Sequence, residues 1–345
     1  MEAPGFGLTT IDGEPSPRTQ AAADCARAFN AVPGFDQAHR VPACNGIYVS
    51  RNTDLFLHAA HNGEFLYTKG LYGAYKACFD AGLPVRMVHA DHLTAAIDEG
   101  LSVLYMPVAF ALSVTEQTGL LEFVERGGTL IAEACPGLFD DTGTLQSSWD
   151  FLDRVFGLSK QEIDAVDQVD ILFEPDHVLT PEHSGFHGRY YRQDFLAQAR
   201  DVAIIARFSD GRPAIFERVH DRGRAVLIGS LPSLAVAMDG DPAAANVIRR
   251  WMHTTGYAQL IAIDCVGTCL IRLQETDDQL FVVAANYASS EQEITLKLAD
   301  RDQIRTVYDA IDPTPVTVAD RQVTFTVNGQ NGRIVSIEWP NSGTG

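Results

Sequence analysis

Residues 104–137, LYMPVAFALSVTEQTGLLEFVERGGTLIAEACPG, decide the fold class of this sequence. The stretch begins with a short apolar segment and continues into TEQTGLLEFVERGG, which has the polar start and the Gly127-Gly128 stop of a capped helix. TLIAEA at 129–134 is again an apolar, strand-like run. A strand, a helix and a second strand joined by short loops predict one βαβ unit of a parallel sheet.

The residues before this unit repeat the same alternation. GIYVS at 46–50 and VRMVHADHL at 85–93 predict two strands, and FLYTKGLYGAYKACFDAGLP at 65–84 predicts the helix between them. Together with the first stretch, these elements predict an α/β domain with a parallel sheet that is covered by helices on both faces.

The strand pattern resumes after a polar region at 136–200, for which we expect loops. AIIARF at 203–208, PAIFERV at 213–219 and AVLIGS at 225–230 predict three strands separated by short turns that contain Asp and Gly. DPAAANVIRRWMHTTGY predicts a helix that closes the domain near residue 257.

The last part of the chain has a different pattern. Residues 270–311 and 322–339 consist of short alternating segments separated by polar turns. This pattern predicts a small antiparallel β-sandwich of about 80 residues, within the range of domains that fold independently.

The composition excludes several classes of partner. The 345 residues carry 26 Lys and Arg against 45 Asp and Glu, a formal net charge of -19 that disfavours nucleic acid and anionic membranes. We find no signal sequence, no membrane-length apolar run and no P-loop, GxGxxG or GxSxG motif, and the six cysteines are scattered. We therefore expect a soluble cytoplasmic protein without a cofactor.

The N-terminal segment GFGLTTIDGEPSPRTQAAADCARAF at 5–29 leads from a loop into an amphipathic helix. Ser16 and Pro17 form an N-cap followed by proline at the first helical position, and apolar residues recur at helical spacing as far as Phe29. Proline and glycine residues in 30–44 predict a linker after it. One face of this helix needs a partner.

Cys135 is a candidate nucleophile because it directly follows a predicted strand of the parallel sheet. However, the next residue is Pro136, which has no N–H with which to stabilise an oxyanion. A buried cysteine that acts as a small apolar residue is the simpler interpretation.

Two groups of residues have ligand types that can bind metals. His89, Asp91 and His92 lie at the end of a predicted strand, and Cys265 and Cys269 are four residues apart. The first group lacks further ligands and the second lacks another cysteine pair, so we predict no metal site. A strand context explains the two cysteines more simply.

Polar residues with a potential functional role also occur at three further positions. His183 and His187 lie in PEHSGFHGRYYRQDF, which predicts either a contact surface for a partner or a sugar, or a solvated loop. Glu133 lies on a predicted strand, but no second carboxylate can be paired with it, and glycosidase chemistry needs two.

The order of these parts resembles the carboxyl-terminal two-thirds of β-galactosidases of glycoside hydrolase family 42. The motifs that carry the resemblance are GGTLIAEACPG at 127–137, DGRPAIFERVHDRGRAVLIG at 210–229 and TIDGEPSPR at 10–18. In that family a catalytic (β/α)8 barrel precedes an α/β domain related to class I amidotransferases, and a β-sandwich ends the chain.

The resemblance implies three parts: the barrel exit loop, last barrel helix and linker at 1–40; a flavodoxin-like, class I amidotransferase-like parallel sheet domain at 41–257; and a small antiparallel β-sandwich at 258–340. It implies a role in carbohydrate metabolism through trimerisation and walling of an active site. Both catalytic carboxylates would lie upstream of Met1, so no catalytic, cofactor-binding or metal-binding residue is carried over.

The resemblance also implies partners: further copies of this chain, a barrel-bearing subunit and a galactoside. Two alternative hypotheses stay open at this point. One is an amidotransferase-like hydrolase that uses Cys135, and the other is a carbohydrate-binding module.

Overall fold

The computed structural model describes residues 7–10, 12–41, 43–60, 65–81, 83–146, 150–174, 185–253, 261–265, 269–298, 304, 306–309, 316–319 and 321–338. The chain divides into two compact units. The α/β unit is Pro42–Ala262, and the β unit combines Met1–Val41 with Ile263–Gly345. The assignment of residues 1–40 to the end of a barrel stays a prediction.

The α-helices occur where apolar residues repeat at helical spacing. They are α1 (Pro17–Asn30), α2 (Arg51–Ala60), α3 (Leu66–Phe79), α4 (Leu93–Asp98), α5 (Val114–Glu125), α6 (Pro232–Asp239) and α7 (Pro242–His253). No helix of the described residues is both long enough and apolar enough to span a bilayer.

The strands form three sheets. They are β1 (His39–Arg40), β2 (Asn45–Val49), β3 (Arg86–His89), β4 (Val103–Met106), β5 (Thr129–Ala132), β6 (Leu158–Phe173), β7 (Gly185–Ala197), β8 (Val202–Phe208), β9 (Pro213–Val219), β10 (Arg224–Ile228), β11 (Ile261–Cys265), β12 (Cys269–Glu275), β13 (Gln279–Asn286), β14 (Gln292–Leu298), β15 (Thr306–Asp309), β16 (Thr317–Ala319), β17 (Gln322–Val327) and β18 (Gly332–Glu338).

The α/β unit is built on a nine-stranded sheet in the order β3-β2-β4-β5-β10-β9-β8-β6-β7. The first five strands in this order are parallel, and the remaining four pair antiparallel. The predicted parallel sheet is thus correct for five strands, but the complete sheet is mixed. The three strands predicted in 203–230 are confirmed as β8, β9 and β10.

The expectation of a loop-rich region around 136–200 is wrong for 158–173 and 185–197, where β6 and β7 form a long hairpin. Residues 161–168 of β6 are exposed or half-buried and show no sustained apolar alternation. Only Val169, Ile171 and Phe173 near its end alternate and pack on the core. Strand β7 of this hairpin forms hydrogen bonds with residues that directly follow β10. The N–H of Gln193 donates to the carbonyl of Gly229 at 2.8 Å, and that of Arg189 donates to the carbonyl of Leu231 at 3.4 Å.

Helices cover both faces of the sheet, as the sequence predicts. Helices α3, α6 and α7 pack on one face around the fully buried Trp251, and α4 and α5 pack on the other face around Phe123. Gly73 of α3 lies directly against the backbone of Ser233 in α6, where a Cβ would overlap the Ser233 carbonyl. This close approach requires glycine.

In the β unit, two antiparallel sheets run β1-β12-β13-β18-β15 and β11-β14-β17-β16. The apolar side chains of β12, β13, β14, β17 and β18 are mostly buried, in agreement with the predicted sandwich. Helix α1 begins at Pro17 with Ser16 as its N-cap, as predicted, but none of its residues is fully buried. Part of the predicted linker at 30–44 is strand β1, which pairs with β12.

Candidate functional site

The carboxyl ends of β2 and β3 and the start of α5 border a cleft in the α/β unit. From β2 the chain continues to β3, toward one edge of the sheet, whereas from β4 it continues to β5, toward the opposite edge. The strand order therefore reverses between β2 and β4, and α/β proteins usually bind ligands at such a switch point. The cleft has a volume of about 740 Å³. Its polar lining includes Arg51, Asn52, His89, Asp91, Ser113, Glu116 and Glu122.

Glu116 is the buried centre of this cleft. Its carboxylate accepts hydrogen bonds from the Tyr48 hydroxyl at 3.1 Å, the Ser50 hydroxyl at 2.7 Å and the Asn52 amide at 2.6 Å. The backbone N–H and the hydroxyl of Ser113 donate at 2.8 and 2.9 Å. The Ser113 hydroxyl also accepts from the Glu116 N–H, which completes the capping box of α5.

The Glu116 carboxylate lies at the N-termini of two helices. Helices α2 and α5 both begin at the cleft, and helix N-termini attract negative charge. Donors from both first turns are already used by Glu116. Glu116 therefore engages these donors where it lines the cleft, and the cleft itself stays open.

The two groups of potential metal ligands lie at the ends of strands. His89 ends β3, and Asp91 and His92 follow it in a short turn with their side chains exposed. Within the described ranges, no three His, Cys, Asp or Glu residues are grouped to hold a metal ion. Cys265 ends β11 and Cys269 begins β12, so strands host both cysteines.

Glu133 lies just after β5 and is completely buried. It accepts hydrogen bonds from the Tyr105 hydroxyl at 2.8 Å, the Val108 N–H at 3.2 Å, and the N–H and hydroxyl of Ser233 at 2.6 and 2.7 Å. Burial raises the pKa of Glu133 to about 7, although these hydrogen bonds act in the opposite direction. Because Ser233 is in the first turn of α6, the Glu133 carboxylate caps that helix.

Cys135 has the backbone geometry of a nucleophile turn but not its chemistry. Its φ of 64° is in the left-handed region, which few residues other than glycine adopt. The side chain is only 1% exposed, and burial raises the pKa of the thiol to about 12. At neutral pH almost none of the reactive thiolate is therefore present.

The β6–β7 hairpin covers the turn at Cys135. Oε1 of Gln193 in β7 accepts the Cys135 N–H at 2.6 Å, and the Ser230 hydroxyl donates to the Tyr191 carbonyl at 2.7 Å. Pro136 has no N–H to offer an oxyanion. The structure therefore does not favour the hypothesis of an amidotransferase-like hydrolase that uses Cys135.

The segment that includes the two histidines is mostly a strand, so the prediction of a solvated loop is wrong. His183 lies outside the described residues, whereas His187 is in β7 and contacts Asp239 and Asp241. Arg189 of the same strand forms a bidentate pair with Asp239 at 2.8 and 2.6 Å. Sequence spacing gave no signal for this cluster, because its members come from distant segments.

The fold is similar to that of known glycoside hydrolases. No protein-family model and no curated protein matches the sequence. Among solved structures, the GH42 β-galactosidase from G. stearothermophilus, as its catalytic mutant, matches with a TM-score of 0.74 and 15% identity over 96% of this chain and 46% of that chain. The β-galactosidase from Bacillus circulans sp. alkalophilus matches with a TM-score of 0.73 and 13% identity over 93% of this chain and 45% of that chain.

An α-L-fucosidase isoenzyme from Paenibacillus thiaminolyticus matches with a TM-score of 0.65 and 14% identity over 94% of this chain and 52% of that chain. Enzymes with different sugars in their names thus share this fold, so the fold by itself does not specify the sugar. The chain spans about half the length of these structures. Its resemblance to part of the GH42 β-galactosidases is confirmed at the level of the fold.

Proposed function

We propose that this chain forms the non-catalytic α/β and β-sandwich portion of a GH42-like β-galactosidase of carbohydrate metabolism, and that it assembles subunits and walls their active site. The observation that carries the proposal is a fold match over 96% of this chain that covers only 46% of the enzyme. The carboxyl edge of the sheet supports it, because Glu116, Glu133 and Cys135 are all held in internal contacts.

The α/β unit also has the strand order of a known fold class. We assign the α/β unit to the flavodoxin-like, class I amidotransferase-like folds. The order β3-β2-β4-β5-β10 of its parallel strands supports this, since it reproduces the 2-1-3-4-5 order of flavodoxin-like sheets. The closed hairpin over Cys135 then replaces the open nucleophile turn of an enzyme of that fold.

The proposed partners are two further copies of this chain, in a trimer, and a subunit or segment that carries a catalytic barrel and binds the galactoside. Phe65 and Tyr72 support a protein contact on the α/β unit. They are two helical turns apart on one face, and both are large and exposed, as is Leu55 of α2. The exposed surface of α1 is the proposed contact for the barrel. Cytoplasmic location is proposed from the scattered free cysteines.

The test combines light scattering with a chromogenic β-galactoside assay on the purified chain. We expect a particle of three times the chain mass and no hydrolysis. Substitution of Tyr72→Asp should shift the mass toward the monomer, whereas Val318→Asp, an exposed apolar residue of β16, is the matched control and should not. A monomer that hydrolyses the substrate, and loses activity when Glu133 is replaced by Gln, would overturn the proposal.

A further inference from the structure

The turn between β17 and β18 contains two Asn-Gly pairs, Asn328-Gly329 and Asn331-Gly332. A further pair, Asn45-Gly46, lies in β2, and the pair at 62–63 is outside the described residues. In such a pair the main-chain nitrogen of glycine can attack the side-chain amide of asparagine, because glycine has no Cβ to obstruct the approach. The reaction needs no enzyme, so the structure around each pair decides where it takes place.

The two reacting groups of the Asn331-Gly332 pair are in contact. The strand register pairs Gly332 with Ala285, and the N–H of Asn286 donates to the Asn331 carbonyl at 2.9 Å. Hydrogen-bonded and non-hydrogen-bonded pairs alternate in an antiparallel ladder, so the Gly332 N–H faces away from β13. It donates instead to Oδ1 of Asn331 at 2.8 Å. The Gly332 nitrogen therefore lies beside Cγ, which is one bond from that oxygen.

The surroundings of Asn331 leave room for the attack. Asn331 and Gly332 are both exposed, so water reaches them. A Cβ at Gly332 would meet the Ala284 carbonyl oxygen at 3.5 Å, which is an ordinary contact distance. Among the described residues, no hydrogen bond holds Nδ2 of Asn331, the group that must leave.

The other two described pairs lack this arrangement. A Cβ at Gly329 would lie 2.2 Å from the Ser289 carbonyl oxygen, so the main chain after Asn328 is packed tightly against the loop that follows β13. Asn45 is only 2% exposed, and β2 pairs with β3 on one side and with β4 on the other. Tight packing and strand pairing oppose the movement that would bring either glycine nitrogen to the neighbouring Cγ.

We propose that Asn331 is a spontaneous modification site, at which the side chain condenses with the Gly332 nitrogen and the product is hydrolysed by water. The Gly332 N–H gives its proton to water or hydroxide, and the nitrogen forms a bond to Cγ. The bond from Cγ to Nδ2 breaks, and Nδ2 takes up a proton and leaves as ammonia. Water then opens the cyclic succinimide at one of its two carbonyl groups. The products are aspartate and isoaspartate, and no group is oxidised or reduced.

Isoaspartate lengthens the main chain at the start of β18. Its backbone runs through Cβ and Cγ, and therefore contains one carbon more than that of aspartate. Strand β18 lies between β13 and β15 in the five-stranded sheet of the β unit. The modified β unit should therefore unfold at a lower urea concentration than the unmodified one.

Peptide mapping of the whole folded chain after incubation at pH 8 tests the site. Trypsin releases residues 322–333 as one peptide, and fragmentation shows which of its two asparagines has become an acid. In the folded chain Asn331 should convert about tenfold faster than Asn328, the effect of a restraint about as strong as one hydrogen bond. In urea the two should convert at similar rates, because glycine follows both.

Two variants separate the role of the contact from that of the turn. Gly332→Ala should slow the conversion of Asn331 about tenfold, because the new methyl group obstructs the attack with the cost of one steric clash. Asn328→Gln is the matched control in the same turn and should leave the rate at Asn331 unchanged. Conversion of Asn328 before Asn331 in the folded chain, an Asn331 as stable as Asn45, or a rate that Gly332→Ala does not lower would each overturn the proposal.

Discussion

The carboxylate of Glu133 accepts hydrogen bonds from both the backbone N–H and the hydroxyl of Ser233, which is 100 residues further along the chain. These two bonds join the end of β5 to the first turn of α6. Burial favours the neutral form of this carboxyl group, whereas the four hydrogen bonds that it accepts favour the charged form.

Glu133 should make the stability of the α/β unit depend on pH. Its pKa is raised from 4.5 to about 7 in the folded protein, so the native state binds the proton more tightly than the unfolded chain does. The resulting stabilisation is complete below pH 4.5 and is lost as the pH rises through about 7. Between pH 5 and pH 8, urea denaturation should therefore show Glu133→Gln gaining about 3 kcal/mol relative to wild type.

The control for this titration is Glu125→Gln, an exposed glutamate of α5, which should follow the pH profile of the wild type. A difference between wild type and Glu133→Gln that does not vary with pH would contradict the raised pKa.

Glu116→Ala should destabilise the α/β unit by about 3 kcal/mol or more, because it leaves buried donors from Tyr48, Ser50 and Asn52 without their acceptor. The measurement is the free energy of unfolding from urea titration. Glu125→Ala on the same helix should stay within about 0.5 kcal/mol of wild type. Equal effects of the two substitutions would show that the hydrogen bonds of Glu116 do not stabilise the α/β unit.

Gly73→Ala and Gly119→Ala are a matched pair of helical substitutions with opposite expected signs. At Gly73 the new methyl group would overlap the Ser233 carbonyl, so we expect a loss of about 2 kcal/mol or more. At Gly119 a Cβ meets only Leu93, at 3.4 Å, and the better helix propensity of alanine should stabilise the protein by up to about 1 kcal/mol. Melting temperatures of the two variants decide whether α3 and α6 pack as described.

Cys135 should resist small thiol reagents in the native protein. Its thiol is buried and its pKa is raised to about 12, whereas Cys25 on α1 is exposed. Peptide mapping after brief labelling at pH 8 should find modification at Cys25 and none at Cys135 until urea is added. Rapid native labelling of Cys135, or hydrolase activity that Cys135→Ala abolishes, would restore the hypothesis of a cysteine hydrolase.

The β unit contains an ion pair whose two side chains are each 2% exposed, between Arg333 of β18 and Asp309 of β15. Asp309→Ala should cost about 3 kcal/mol of unfolding free energy, because it leaves the buried guanidinium without that carboxylate. Asp24→Ala, which breaks an exposed pair on α1, should cost less than about 0.5 kcal/mol. Circular dichroism during urea denaturation measures both effects, and a loss at Asp309 as small as that at Asp24 would contradict the role of the buried pair.

The sequence alone determined the elements whose causes are local. Ser16 caps α1 at the predicted position, and α5 is a capped helix as predicted, since a cap needs only groups within one helical turn. The strands of the parallel sheet and of the sandwich follow from apolar periodicity. The order of these elements also sufficed for the resemblance to GH42 β-galactosidases.

Tertiary structure decided the rest. The β6–β7 hairpin obtains its hydrogen bonds from strand pairing, and residues 161–168 of β6 are too exposed to carry a sustained apolar pattern. Contacts such as those of Glu133 with Ser233 and of Cys135 with Gln193 join residues far apart in the chain. No local propensity encodes such pairs. Whether a carboxylate or a thiol at a strand end is free for chemistry depends on which distant donors reach it and on its burial, and only the folded chain determines both.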